Sequence, residues 1–182
     1  MSVARGDGTR IRLEDYIREV PDFPRQGIRF KDLTPLLQSP AAFRAAIAEL
    51  ASRVPRPEAV VAIESRGFLF GAPLALHWDV SLVPARKFGK LPGATVSEVY
   101  SLEYGEDTLE LHADALSRGQ RAVLVDDLLA TGGTAVAAAR LVAQLGAEVS
   151  AALFLIELTG LDGRERLTPV PVHALLQLPA GG

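Results

Sequence analysis

Residues 123–135 read VLVDDLLATGGTA. An apolar run leads into two adjacent aspartates, Asp126 and Asp127, and shortly afterwards Gly132 and Gly133 stand between Thr131 and Thr134. Glycines let a backbone approach a ligand closely and adopt positive φ. Where such a loop opens a helix, successive N–H groups and the helix dipole make a cradle for an anion. The two threonines add hydroxyl donors. No Gly-Lys-Ser/Thr closes the stretch, so it is not a Walker phosphate loop. The carboxylates would repel a phosphate directly. Beside one, they suit sugar hydroxyls, which donate hydrogen bonds, or a hydrated divalent cation. Phosphate together with vicinal hydroxyls describes a ribose 5-phosphate. The plainer alternative is an Asp pair that caps a turn and a Gly-Gly that bends the chain; it explains each half alone but not their spacing.

The elements that would position these residues alternate along the chain. RLEDYIREV carries Leu13, Tyr16, Ile17 and Val20 at helical spacing and predicts a short amphipathic helix. Ser39 and Pro40 supply an N-cap and a first helical residue for a helix whose face is Phe43, Ile47, Leu50 and Val54. AVVAI (59–63) and RAVLV (121–125) are continuous apolar runs, as expected of strands buried on both faces. GFLFGAPLALHW reads as an interrupted helix, with Trp78 ending it against the core, and SLVPAR (81–86) as a strand. SEVYSLEYGEDTLELH alternates and is expected to turn at Gly105 as a hairpin. TAVAAARLVAQL is a helix stopped by Gly146, and VSAALFLIEL is the next strand. Strand–helix–strand units joined by short turns imply a mostly parallel sheet flanked by helices. In such sheets ligands bind beyond the carboxyl ends of the strands, which is where the Asp-Asp/Gly-Gly stretch falls.

Composition narrows the class. At 182 residues the chain is expected to be one domain, large enough to bury about 70% of its unfolded surface. A net charge of −3 gives no bulk attraction to nucleic acid or an anionic membrane. With no cysteine there is no disulfide, thiolate metal site or cysteine nucleophile, which fits a reducing cytoplasm. MSVARGDGTR lacks a signal-peptide core, and the apolar stretch AALFLI is too short to span a bilayer. His77, His112 and His173 are scattered without metal-ligand spacing and read as packing or surface residues.

VLVDDLLATGGT resembles the signature of the type I phosphoribosyltransferases, which bind phosphoribosyl pyrophosphate (PRPP). FPRQGIRFKDLTPLL (23–37), ESRGFLFG (64–71), ARKFGKLPG (85–93) and YSLEYGEDTLELH (100–112) resemble, in that order, the adenine-specific branch of the family. The likeness runs from about residue 10 to residue 178. It implies an α/β fold: a mostly parallel central sheet flanked by helices, with a small N-terminal hood and a flexible β-hairpin loop. Residues 1–182 would form a single phosphoribosyltransferase domain, the hood from about 10–38 and the core from about 39–178.

The resemblance also implies roles. Ala130, Thr131, Gly132, Gly133 and Thr134 would hold the 5-phosphate, and Asp126 and Asp127 the ribose 2- and 3-hydroxyls. The ESRG turn would be the pyrophosphate loop, with a non-proline cis bond at Ser65–Arg66 and Arg66 on the ligand. Arg86, Lys87 and Lys90 form a basic cluster suited to pyrophosphate, with Gly89 and Gly93 allowing movement; read alone, it could equally be a solvated loop. In the family such residues also reach the neighbouring subunit's site, which implies a homodimer. Glu103 in SLEYG would handle the purine proton; residue chemistry alone leaves Glu98, Glu106 and Glu110 as equal candidates. Adenine would be read by the backbone near Ile28 and Arg29 and sandwiched by Phe30 and Leu128, although Phe30 could equally be core. Arg29 stands where others in the family often carry an apolar residue, and Lys31 is at a basic position. Mg²⁺ would arrive with PRPP rather than on protein ligands. The products would be AMP and pyrophosphate. Two rivals are a phosphoribosyltransferase for another purine, such as xanthine or hypoxanthine, and a non-catalytic PRPP-binding regulator. The latter should carry an extra winged helix or a basic face, and the sequence has neither.

Overall fold

The computed structural model describes residues 11–102 and 105–180. A short 3₁₀ turn, Leu13–Tyr16, leads into a two-stranded antiparallel sheet of β1 (Arg18–Pro21) and β2 (Arg29–Asp32). The amphipathic helix expected over RLEDYIREV therefore stops after one turn. From Arg18 onward, cross-strand pairing takes the backbone, with Arg18 opposite Asp32 and Glu19 opposite Lys31. Arg18 also makes two bonds to the Asp32 carboxylate, of 2.9 and 2.5 Å. Helical spacing is a weak preference beside such a ladder.

α1 (Thr34–Gln38) and α2 (Pro40–Ala51) follow. Ser39 caps α2 as expected, accepting from the Ala42 N–H at 3.3 Å. The remaining elements are β3 (Ala59–Ile63), α3 (Gly67–Trp78), β4 (Ser81–Lys87), β5 (Thr95–Leu102), β6 (Gly105–His112), β7 (Arg121–Leu129), α4 (Gly133–Gln144), β8 (Glu148–Thr159), α5 (Gly163–Arg166) and β9 (Val172–Pro179). Seven strands form one sheet in the order β5-β6-β4-β3-β7-β8-β9. β4, β3, β7, β8 and β9 run parallel, and the hairpin β5–β6 adds antiparallel at one edge. The α/β class and mostly parallel sheet are as the sequence implied. β9 was not anticipated, and the hairpin pairs through Leu102 and Gly105, so Gly105 opens β6 instead of forming the turn.

The strands sort their side chains strictly between two cores. Val60, Val123, Val125, Leu153 and Leu155 point to a layer with Leu36, Leu50, Phe70, Leu74 and Trp78 from the helices. Val61, Ile63, Leu124, Ala152 and Phe154 point to the opposite layer, with Leu109 and Leu111 of β6 and Ala138 and Leu141 of α4. Two covered faces explain why β3 and β7 read as unbroken apolar runs.

α3 is continuous despite Pro73. Four of its side chains, Phe70, Leu74, Ala75 and Trp78, are buried. Gly71 sets the helix directly on the sheet: a Cβ there would lie 2.4 Å from the Ala62 Cβ. Tertiary packing holds the helix through the lost hydrogen bond. Gly71→Ala is accordingly expected to destabilise the protein by roughly 1–3 kcal/mol through overpacking. Helix propensity alone would give a gain of up to about 1 kcal/mol, so the sign of the shift in urea midpoint decides which effect rules.

Candidate active site

β3, β4 and β7 end at one edge of the sheet, and each carries site residues past its last apolar position. β7 runs through Asp126 and Asp127 to Leu129, four residues beyond the expected RAVLV strand. The chain then turns through Ala130 and Thr131 into α4. Gly132 caps α4 at φ 79°, a left-handed conformation that favours glycine. A Cβ at Gly132 would also meet the Gly163 carbonyl oxygen at 2.8 Å, so α5 backs the loop closely. Arg166 Nη1 donates to the Thr131 carbonyl at 3.1 Å and fixes the turn from outside. The space in front, about 100 Å³, is walled by Ala130–Thr134, Asp126, Leu128 and Phe154. It is a small concavity at a helix N-terminus, of the kind that accepts an anion.

A larger pocket of about 370 Å³ adjoins it, sharing Asp126, Leu128 and Thr134 and adding Glu64, Ser65, Arg66, Lys87, Tyr100, Asp107 and Asp127. The structure thus brings Asp126, Asp127, Arg66 and Lys87 to one pocket and the five phosphate-loop residues to the next. Asp126 Oδ1 accepts the Asp127 N–H at 2.8 Å. Asp127 is 4% exposed, and its Oδ2 lies 3.0 Å from Arg66 Nε without a hydrogen bond between them. Among the described residues, Oδ2 is the one buried side-chain oxygen or nitrogen with no hydrogen-bond partner. A donor from a ligand would satisfy it. Burial, and then the negative charge of Asp127, push Asp126 well above the usual carboxylate range. Burial also raises Asp127, against the opposing pull of the Arg66 guanidinium.

The ESRG turn begins where β3 ends. Glu64 still holds the ladder, its N–H donating to Ala85 O at 2.9 Å. The non-proline cis bond lies at Glu64–Ser65, one peptide earlier than the expected Ser65–Arg66: the break follows directly on the last residue the ladder holds. Arg66 then enters α3, and Gly67 passes so near β7 that a Cβ would meet Val125 O at 2.7 Å and Asp126 Oδ1 at 2.9 Å.

The basic cluster is paired within its own chain. Arg86 Nε and Nη2 grip the Glu64 carboxylate at 3.2 and 3.1 Å, while Nη1 donates to Lys90 O at 3.0 Å. The Lys87 N–H donates to the same Glu64 at 2.9 Å, and its ammonium lies 3.0 Å from Asp107 Oδ2. The Asp107 hydrogen bond raises the Lys87 pKa, and Arg86 is the largest cause of the lowered Glu64 pKa. Lys90 is exposed and lies outside both pockets.

The hood residues stand apart from these pockets. Ile28 is exposed; Arg29 bonds Glu19 at 2.9 Å, and the buried Lys31 ammonium shares the same Glu19 carboxylate. Phe30 is only half-buried, so it is not a core residue, and it meets Phe23 edge-on at 5.1 Å. Its ring lies 5.2 Å from the Arg66 guanidinium carbon, a cation–π contact that joins hood to pocket. Leu128 lines both pockets, whereas Phe30 lines neither. Glu103 lies outside the described residues. Among the described residues no three His, Asp or Glu converge to hold a metal, and no helix is long and apolar enough to cross a membrane.

The phosphoribosyl transferase domain family matches residues 33–170, more than half of the chain. The chain belongs to the phosphoribosyltransferase family. An adenine phosphoribosyltransferase of Carboxydothermus hydrogenoformans is 55% identical over 167 residues, covering 91% of this chain and 98% of that one. The crystal structure of the Thermoanaerobacter pseudethanolicus adenine phosphoribosyltransferase is 51% identical, with a TM-score of 0.88 over 92% of this chain and all of that one. The Saccharomyces cerevisiae enzyme, solved with an imino-altritol bisphosphate and adenine, is 41% identical, with a TM-score of 0.84 over 90% of this chain and 96% of its own.

Sequence reasoning missed three ionisable residues of the larger pocket of this phosphoribosyltransferase, Glu64, Tyr100 and Asp107. Glu64 opens the quoted ESRG stretch, but its carboxylate serves the basic segment, a contact that needs β3 and β4 side by side. Tyr100 and Asp107 face each other in the hairpin, and the correct turn position would have revealed that pairing.

The raised pKa of Asp126 has a stability consequence. Its contribution is fully present below the ordinary Asp value of 3.8 and is lost as pH rises through the raised folded value. Above that point the ligand-free protein carries an unfavourable buried charge. Asp126→Asn is expected to stabilise the ligand-free protein at pH 8, with a gain that shrinks on acidification through that window. Urea unfolding at several pH values checks it; a pH-independent difference would show that the shift is absent.

Proposed function

We propose that the two adjoining pockets together hold PRPP and that the protein transfers its 5-phosphoribosyl group to adenine, giving AMP and pyrophosphate. One observation carries this reading. A helix-opening Gly132–Gly133 loop lies beside two adjacent aspartates, the half-buried Asp126 and the buried Asp127, whose Oδ2 is an unsatisfied acceptor. The loop backbone of Ala130–Thr134 takes the 5-phosphate. Asp126 and Asp127 accept hydrogen bonds from the ribose 2- and 3-hydroxyls, and Arg66 and Lys87 face the pyrophosphate end, with Arg86 and Lys90 behind them. Adenine as the base is supported by the 55% identical relative and by the yeast enzyme's complex with adenine. The backbone near Ile28 and Arg29 reads its edge, and Phe30 and Leu128 flank its ring. Residues 1–182 act as one domain, a hood over a core, in the cytoplasm.

The chemistry follows from charge. As the bond between ribose C1 and the pyrophosphate oxygen breaks, positive charge builds on the sugar ring and negative charge on the leaving group. Mg²⁺ arriving with PRPP neutralises part of the pyrophosphate charge. Asp126 and Asp127 lie on the sugar side and the basic residues on the other, so each favours the separated charges over the ground state. Adenine N9 attacks C1 with inversion. Glu103 exchanges a hydrogen bond or proton with N7.

A homodimer fits the surface. α3 leaves Leu69 and Leu76 exposed seven residues apart, Leu76 at 83%, and Leu82 and Phe88 at β4 are also exposed. Covering that apolar face with a second copy would bring Arg86 or Lys87 near the neighbouring site; light scattering is expected to give twice the chain mass.

The deciding assay mixes adenine, PRPP and Mg²⁺ and follows AMP and pyrophosphate, with hypoxanthine and xanthine as competitors. Asp127→Asn is expected to lower kcat/KM for PRPP about 10- to 100-fold, the value of a charge-assisted hydrogen bond, in a protein that stays folded. Glu103→Ala is expected to lower kcat by about 100-fold or more with little change in adenine affinity. Wild-type turnover in either variant removes that residue's role.

A further inference from the structure

The basic segment after β4 and the hairpin β5–β6 meet at one carboxylate that no step above uses. Asp107, on β6, has its Oδ2 3.0 Å from the Lys87 ammonium and accepts the Tyr100 hydroxyl on the same oxygen at 3.3 Å. Its Oδ1 takes the Thr108 N–H at 2.8 Å, so both oxygens are engaged and the side chain is fixed. Tyr100 and Thr134, at the start of α4, line the same pocket. Lys87 is anchored on the other side by its backbone. Its N–H is held by Glu64 at 2.9 Å, and the Gly89 N–H is held by the buried Glu110 at 2.9 Å. The Lys87 side chain, tied only through its ammonium to Asp107, is 55% exposed, while that of Asp107 is 22% exposed. Both residues wall the pocket that also holds Arg66 and Asp127.

Three groups therefore compete in one place. An anion entering this pocket gains the Lys87 ammonium only by drawing it from Asp107, and it must approach a fixed negative charge to do so. We propose that Asp107 is a positioning residue that competes with pyrophosphate for Lys87, holding the ammonium at the pocket wall before PRPP binds and taking it back as pyrophosphate leaves. The proposal rests on the assignment of this pocket to the pyrophosphate end of PRPP. It makes Asp107 a determinant of product release, where a carboxylate beside an anion site would otherwise only cost affinity. The interaction is partly exposed, so its reach is modest, and a neutral amide in its place would change affinity about three- to tenfold.

The test is calorimetric binding of inorganic pyrophosphate with Mg²⁺ to wild type, Asp107→Asn, Lys87→Met and the double variant, alongside steady-state turnover of adenine and PRPP. Asp107→Asn should bind pyrophosphate about three- to tenfold more tightly than wild type and show stronger product inhibition. Lys87→Met should bind it more weakly, and adding Asp107→Asn to Lys87→Met should recover distinctly less than Asp107→Asn gains alone. Asp107→Glu should restore the wild-type affinity. A residue that merely braced the hairpin would weaken binding when changed, so weaker or unchanged pyrophosphate binding in Asp107→Asn overturns the proposal. Equal gains with and without Lys87 overturn it too, because they would reduce Asp107 to general repulsion. If wild type forms no AMP yet the four-variant pattern holds, the adenine reading fails and the competition for Lys87 stands.

Discussion

β3 and β7 lie side by side and parallel, with Ala59 against Ala122 through Ala62 against Val125. The continuation of each strand therefore reaches the same edge of the sheet. Glu64, Ser65 and Arg66 emerge from one strand, and Asp126 and Asp127 from the other. Gly67 allows the contact to close, because any side chain there would strike Val125 O and Asp126 Oδ1. Without that register, Arg66 could not stand 3.0 Å from Asp127, and the two pockets would not share a wall.

The same pairing sets two adjacent carboxylates at the sheet edge, Asp127 buried and Asp126 half-buried. Desolvation and mutual repulsion disfavour ionisation of Asp126, and one Asp127 oxygen goes without a hydrogen bond. Buried polar groups in folded proteins are ordinarily satisfied. Asp127 Oδ2, at the edge of the parallel sheet, is the exception among the described residues. Elsewhere the charges are compensated. Glu157 accepts Arg164 and Gln177, and Glu64 accepts Arg86 and the Lys87 N–H. The contrast separates carboxylates that hold the scaffold from those left available to a ligand.

Arg66 links the parts of the site that lie on different elements. It pairs with Asp127 of β7 and lies over the ring of Phe30 in the hood sheet. A shift of Arg66 would therefore be felt both at Asp127 and at the hood sheet. Lys87 has the same character between β4 and the hairpin. The cations of the larger pocket, Arg66 and Lys87, are already held by carboxylates of the same chain.

The sequence by itself determined the parts that are local. Unbroken apolar runs marked β3 and β7, Ser39–Pro40 marked the start of α2, and Gly132–Gly133 after Asp126–Asp127 marked the loop that opens α4. Each depends on a few neighbouring residues and on backbone preferences carried in one stretch. Tertiary structure decided what depends on distant partners. Residues from Arg18 onward became β1 because β2 offered a ladder, α3 stayed whole across Pro73 because Phe70, Leu74 and Trp78 are buried, and β7 ran on through the aspartates because β8 paired with it as far as Leu129. The Glu64–Arg86, Lys87–Asp107 and Phe30–Arg66 contacts belong to this second kind. They join residues 20 to 36 positions apart, and only the closing of the sheet and the docking of the hood bring such charges and rings within reach of one another.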